Sequence, residues 1–224
     1  MKKILIALFF TTSIAFSQGK ITKALGEYHT VKVFNGLEVE LIKSNKNRIE
    51  ITGEKADEVV VKNVNETVKL SLSLLEKFSR DDVHIKLYYA DKLHTINANE
   101  ASFIVSADKI KQQNLDVKAE SGAKIKLDIN IEYLQVRSYS GAEVFLEGKA
   151  KNQDVSVNTG GFYTGKELVT NYTDITCSTG GQAHVYAKDM LDANSSLGAT
   201  IKYVGEPKSI KKQKSLGGNI YNKD

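Results

Sequence analysis

The sequence predicts an all-β fold, a right-handed parallel β-helix with coils of about 19–20 residues behind a strand-rich N-terminal portion. Three observations predict it. The first half alternates apolar and polar residues with period two, as half-buried strands do. The second half repeats a small-residue marker about every twenty residues, the mark of a solenoid. The composition sets 16 glycines against a single proline, which suits stacked strands with tight corners.

Residues 1–17 have the layout of a secretory signal peptide. Lys2 and Lys3 precede an apolar stretch from Ile4 to Phe10, and Ala15-Phe16-Ser17 places cleavage between Ser17 and Gln18. The stretch is about half the ~20 apolar residues that a membrane-spanning helix needs, and no later run approaches that length. No Cys lies near the cleavage point to accept a lipid. Removing the leader takes two lysines from the formal charge of +4, leaving 4 − 2 = +2, too slight to argue for nucleic acid. The chain is therefore expected to be exported, to the periplasm or the cell surface. The lone Cys177 cannot form an internal disulfide and reads as a small core residue.

Residues 18–224 read as one domain, with alternating strands over 28–91 and repeat coils over 92–221. Val31-Lys32-Val33, Leu37 to Leu41, Ile49-Glu50-Ile51, Val68 to Leu74 and Val83 to Leu87 each alternate. Asn35-Gly36 and Thr52-Gly53 punctuate them as turns. Glu54 to Val61 is open to a helical reading, but no segment sustains a 3.6-residue period.

The coil markers are Glu100-Ala101-Ser102, Ser121-Gly122-Ala123, Ser140-Gly141-Ala142, Thr159-Gly160-Gly161, Thr179-Gly180-Gly181, Leu197-Gly198-Ala199 and Leu216-Gly217-Gly218. They fall 21, 19, 19, 20, 18 and 19 residues apart. Five residues before each marker centre stand Ile96, Val117, Val136, Val155, Ile175, Ala193 and Lys212, and three after stand Ile104, Ile125, Val144, Tyr163, Ala183, Ile201 and Ile220. Alternate side chains thus point inward in every coil. Similar residues in one deep column argue against an array of antiparallel hairpins. Right-handed winding follows from the preference of parallel crossovers. Pro207 falls between the last two coils, where the ladder spares an N–H.

Val33-Phe34-Asn35-Gly36-Leu37-Glu38-Val39, the iterated Ser-Gly-Ala and Thr-Gly-Gly markers, and Lys202-Tyr203-Val204-Gly205-Glu206-Pro207 followed by Leu216-Gly217-Gly218-Asn219-Ile220 resemble the bacterial head GIN domain family of auto-transporter adhesins. The resemblance covers about residues 28 to 221. It implies a right-handed β-helix in the envelope of a Gram-negative-type bacterium, and it carries over no catalytic residue. Because the chain ends seven residues after Gly217, with no barrel-forming segment, the expectation is adhesin-like binding rather than self-export.

Asp154, Asp174 and Asp192 stack six residues before successive markers, an acidic ladder with oxygen ligands suited to Ca²⁺. Strand-entry Asp residues also cap backbone N–H groups, and the Gly-rich nonapeptide of calcium-binding β-rolls is absent. The metal assignment is none, with these three as candidates only. His29, His84, His94 and His184 show no ligand spacing, and His84 alternates with core residues and should face solvent. Phe103 and Phe162 share an otherwise polar column and are candidate surface contacts, unless a coil edge shields them. Lys208, Lys211, Lys212 and Lys214 read as polar capping of the final coil.

The expectation is a non-enzymatic envelope protein that binds a polysaccharide or another protein, with no cofactor. Two alternatives stand beside it: a carbohydrate-active β-helix enzyme, which needs paired carboxylates in a groove, and a purely structural assembly subunit.

Overall fold

The computed structural model describes residues 20–73 and 83–223. The proposed signal peptide, with Ser17 and Gln18, and the Leu74 end of one expected strand lie outside the described residues.

Eighteen strands hold 67% of the described residues. The N-terminal nine are β1 (Lys20–Ala24), β2 (Thr30–Val33), β3 (Glu38–Lys43), β4 (Arg48–Thr52), β5 (Val59–Val64), β6 (Thr67–Leu72), β7 (His84–Tyr89), β8 (Thr95–Ala98) and β9 (Phe103–Ser106). The rest are β10 (Ile110–Ala119), β11 (Lys124–Tyr139), β12 (Glu143–Asn158), β13 (Phe162–Cys177), β14 (Gln182–Tyr186), β15 (Met190–Ser195), β16 (Thr200–Val204), β17 (Ser209–Lys214) and β18 (Asn219–Asn222). They form a β-solenoid of about seven turns at about 19 residues per turn.

β11, β12 and β13 are 16 residues each and wrap most of a coil. Inward and outward residues alternate along most of their length, and at a corner two neighbours face out together. Glu132 and Tyr133 do so in β11, and Asn171 and Tyr172 in β13. The expected columns then stack in register: Val117 on Val136, Val136 on Val155, Val155 on Ile175, Ile175 on Ala193. All five are buried, as are Ile104, Ile125, Val144, Tyr163, Ala183, Ile201 and Ile220.

The markers are the other corner. In Glu120-Ser121-Gly122-Ala123 the Ala123 N–H donates to the Glu120 carbonyl, and both central residues are left-handed, with φ of 54° at Ser121 and 71° at Gly122. Positive φ at both central positions defines a type I′ turn, which Gly takes without a Cβ clash. The Gly122 N–H donates in turn to the Ser140 carbonyl at 3.1 Å, and Gly141 donates to Thr159 at 3.1 Å, so the corners bond from coil to coil.

The N-terminal portion joins the same stack. β2 pairs in parallel with both β6 and β8, and β3 pairs in parallel with both β7 and β9. Asn35 and Gly36 have φ of 58° and 71°, and the Gly36 N–H donates to the Glu100 carbonyl at 2.8 Å. This turn is therefore a further marker, and Val31, Val33 and Val39 fill the inward columns on Ile96, Ala98 and Ile104. The coils are out of sequence order in space: the β6–β7 coil, then β2–β3, then β8–β9, then β10 onward. Beyond β6–β7 the pairing turns antiparallel, with β5 on β6, β4 on β7 and β1 on β4. Within Glu54 to Val61, open to a helical reading, a single 3-10 turn at Ala56–Glu58 leads into β5.

Irregular spacings have local causes. The 20-residue coil ending at Gly180 contains a register shift opposite Phe145 and Glu147, a bulge on the β13 side. Pro207 sits in the connection between β16 and β17, outside the ladder.

Candidate functional site

On the face between the Glu132–Tyr133 corner and the marker corner, every second residue points outward. Eight residues before the markers, Asn114, Tyr133, Asn152, Tyr172, Met190 and Ser209 stack in register. Tyr133, Tyr172 and Met190 are 49%, 43% and 39% exposed. Six residues before the markers, Asp116, Gln135, Asp154, Asp174 and Asp192 form the parallel column. A trough of about 530 Å³ runs along both columns, lined by Tyr133, Tyr172, Met190, Gln135, Asp154 and Asp174 among others, with His94 at one end.

The acidic column is compensated only at its ends. Arg137 donates to both carboxylate oxygens of Asp116 at 3.0 and 3.1 Å, and Lys211 reaches Asp192 at 2.8 Å. Asp154 and Asp174, inside the trough, have no ion-pair partner among the described residues. Partial burial, then the charges of Asp192 and Asp154, raise the Asp174 carboxyl above its ordinary value, with Lys211 opposing. No group of three or more His, Cys, Asp or Glu among the described residues is arranged to hold a metal ion.

The floor beneath is tied together by buried hydrogen bonds. Gln153 points inward and is buried, with its amide donating to Thr170 at 3.1 Å, Thr173 at 3.0 Å and the Tyr186 carbonyl at 3.3 Å. Its oxygen accepts from the Tyr163 hydroxyl at 2.9 Å. A satisfied polar cluster under a sheet fixes the strand positions that display the outer side chains.

The other candidates lie elsewhere. Phe103 and Phe162 are both half-buried, three coils apart on the opposite stretch of the coil. Phe103 lies in register between Glu38 and Lys124, and Phe162 packs on Phe145 with ring centroids 5.9 Å apart. His84 is exposed, as its alternation predicts. His29 and His94 stack at 4.8 Å, and Glu27 pairs with His29 at 3.2 Å. Cys177 is buried and its thiol is pushed up to about 12 by that burial, which leaves no reactive thiolate.

Tyr133, Tyr172 and Met190 were legible in the repeat but are not among the residues that composition or motif singles out. The same register that lines up the aspartates lines up the tyrosines two residues earlier.

The family model described as "Putative auto-transporter adhesin, head GIN domain" matches residues 27–207. The chain belongs to that head GIN domain family. No curated protein matches it. Among solved structures, a "putative adhesin" from Bacteroides fragilis is similar with a TM-score of 0.83 and 18% identity, over 93% of this chain and 98% of that one. A "putative adhesin" from Parabacteroides merdae has a TM-score of 0.77 and 13% identity, over 94% and 98% of the two chains. A "putative lipid binding protein" from Parabacteroides distasonis has a TM-score of 0.75 and 17% identity, over 94% and 98%. At these identities the likeness to the solved structures shows the fold, and the fold alone. No helix among the described residues is long and apolar enough to cross a membrane.

Proposed function

We propose that this head GIN protein is a non-enzymatic, exported envelope protein that binds an extended polysaccharide along the trough. The observation that carries the reading is the column of exposed Tyr133, Tyr172 and Met190 beside planar amides and carboxylates. Aromatic faces cover the apolar face of a sugar ring, and unpaired carboxylates and amides accept and donate to its hydroxyls. Tyr133 and Tyr172 are two coils apart, ~10 Å at strand spacing, so a chain running along the solenoid axis meets both. The adhesin names of the family and of its solved relatives support a binding role outside the cytoplasm.

A polysaccharide array probed with the secreted protein, read together with reducing-sugar release, tests this. The expected result is binding without turnover, weakened about tenfold or more by Tyr133→Ala with Tyr172→Ala, the usual size for exposed aromatic anchors. Sugar release abolished by Asp154→Asn or Asp174→Asn would overturn the non-enzymatic reading, and binding indifferent to the tyrosines would overturn the site.

A further inference from the structure

The trough has a second edge of opposite charge. Across the Glu132–Tyr133 corner, Lys111, Asn130, Lys149 and Val169 stack in register, and Lys151 and Lys188 stand beside them. All four lysines are exposed and rim a concavity of about 800 Å³. Its single carboxylate, Glu132, is taken up by Lys151 at 3.5 Å. Lys111, Lys149 and Lys188 have no carboxylate within ion-pair distance among the described residues. The two concavities meet along the corner, because Lys151 and Asn171 of one are chain neighbours of Asn152 and Tyr172 of the other.

Around the corner the outward columns therefore run from cationic, through Glu132, Lys151 and Asn171, to aromatic and then carboxylate. Lys149 and Asp154 are five residues apart, at most ~16 Å along the strand and less across the bend of the corner, with the aromatic column between them. Building on the polysaccharide reading, we infer that the ligand is an acidic polysaccharide of the uronate type. A uronate ring on Tyr172 or Tyr133 turns its carboxylate edge to the lysines and its hydroxyl edge to Asp154, Asp174 and Gln135. Lysine–carboxylate contacts are charge-assisted, and the carboxylates on the far side accept hydrogen bonds from hydroxyls without meeting the ligand's charge. Lys111 and Lys149 lie two coils apart, ~10 Å, so the charges recur along the axis as they do along such a polymer. A neutral polymer leaves the lysine edge without a counter-charge, and a cationic one is repelled by it. An anionic bilayer offers charge without rings for the tyrosines.

The test is a calorimetric titration of the secreted protein with polygalacturonate, with its methyl ester, and with vesicles containing phosphatidylglycerol, each at low and moderate salt. The acid should bind about tenfold or more tighter than the ester, as desolvated charge pairs allow. Salt should shrink that margin, and Lys111→Gln with Lys149→Gln and Lys188→Gln should erase it while leaving ester binding unchanged. Tyr133→Ala with Tyr172→Ala should weaken both polymers. Equal binding of acid and ester, or vesicles that compete with polygalacturonate as strongly as the free polymer does, would overturn the acidic-ligand inference alone. Failure of both polymers would overturn it together with the polysaccharide reading.

Discussion

At the residue scale, Asp174 is the group whose environment is least balanced. It stands between Asp154 and Asp192 in register, and only Asp192 has a lysine of its own. Burial and the two neighbouring charges raise its folded-state pKa above the ordinary 3.8. The folded protein therefore holds a proton that the unfolded chain has released, in a window beginning near 3.8 and extending upward. Stability contributed by this group falls as pH rises through that window, because the folded state binds more protons there. Asp174→Asn should accordingly raise the melting temperature at pH 7, and the advantage should vanish at a pH where Asp174 is protonated in both states. Thermal melts of the two proteins across pH 3 to 7 check this, and a variant no more stable at pH 7 than the parent contradicts it. Two histidines bracket the upper range with opposite signs. The hydrogen bond that the His29 imidazole donates to the Lys92 carbonyl, then Glu66 and Glu27, holds the His29 pKa above 6.5 against its own desolvation. Partial burial and then Lys166, Lys202 and Lys223 hold that of His184 below 6.5. Stability from His29 is present below 6.5 and lost as pH rises past it, whereas stability from His184 is lost as pH falls below 6.5.

At the scale of elements, the two ends of the solenoid are finished differently. Antiparallel β1, β4 and β5 continue the sheet beyond the β6–β7 coil, so among the described residues no parallel strand edge is left there for another chain to extend. The other end is β17 and β18, and all six residues of β17 are exposed. Its columns call for apolar residues at 212 and 214, and lysines occupy both. Lys212 bends onto Tyr203, donating to its hydroxyl at 2.7 Å, while Lys211 and Lys208 tie back to Asp192 at 2.8 Å and Asp189 at 2.9 Å. The last coil thus presents charge where a flat apolar coil would accept a second copy. Lys212→Val with Lys214→Val should restore the columns and drive end-to-end association, seen as an earlier, concentration-dependent elution in size-exclusion chromatography. Elution unchanged over a hundredfold range of concentration would refute the capping role. The lysines' place in the inward columns was legible in the sequence, because the column arithmetic runs unbroken through 212 and 214. The marker at Asn35-Gly36 was not legible, for a physical reason. Its bonded neighbour Glu100 is 65 residues away, and Ala101 replaces the glycine there, so neither distance nor residue type signals the pairing. The tyrosine column of the trough was legible in register, yet alternating Asn and Tyr makes no motif until the strands are stacked.

For the whole molecule, the consequence lies in the order of the coils. The chain first winds β2 and β3, leaves the stack through β4 and β5, returns to lay β6 and β7 on one side, and then crosses to lay β8 and β9 on the other. Asn35 fastens the three coils together at the marker corner. Its amide nitrogen donates to Glu100 at 2.6 Å and its oxygen accepts from the Leu72 backbone at 3.2 Å, so one side chain reaches both neighbours. The first coil formed in the chain is thus an interior coil, complete only when segments on either side of it have arrived. Such non-local pairing incurs its loop-closure entropy before the contacts offset it, which slows folding. It also reverses the protection expected of an N-terminal strand, because amides flanked by paired strands on both sides open only with their neighbours. Hydrogen exchange should therefore find β2 and β3 as protected as β10, while β1, β17 and β18 exchange first and the β6–β7 coil falls between. If residues 28–91 instead formed a separate strand layer set against the coils, β2, β3, β6 and β7 would exchange together and ahead of β8. Peptide-resolved exchange separates the two outcomes. Asn35→Ala sharpens the comparison by removing both side-chain bonds, a loss of about 1–3 kcal/mol. It should speed exchange in β6 and β7 and leave β11 to β13 unchanged.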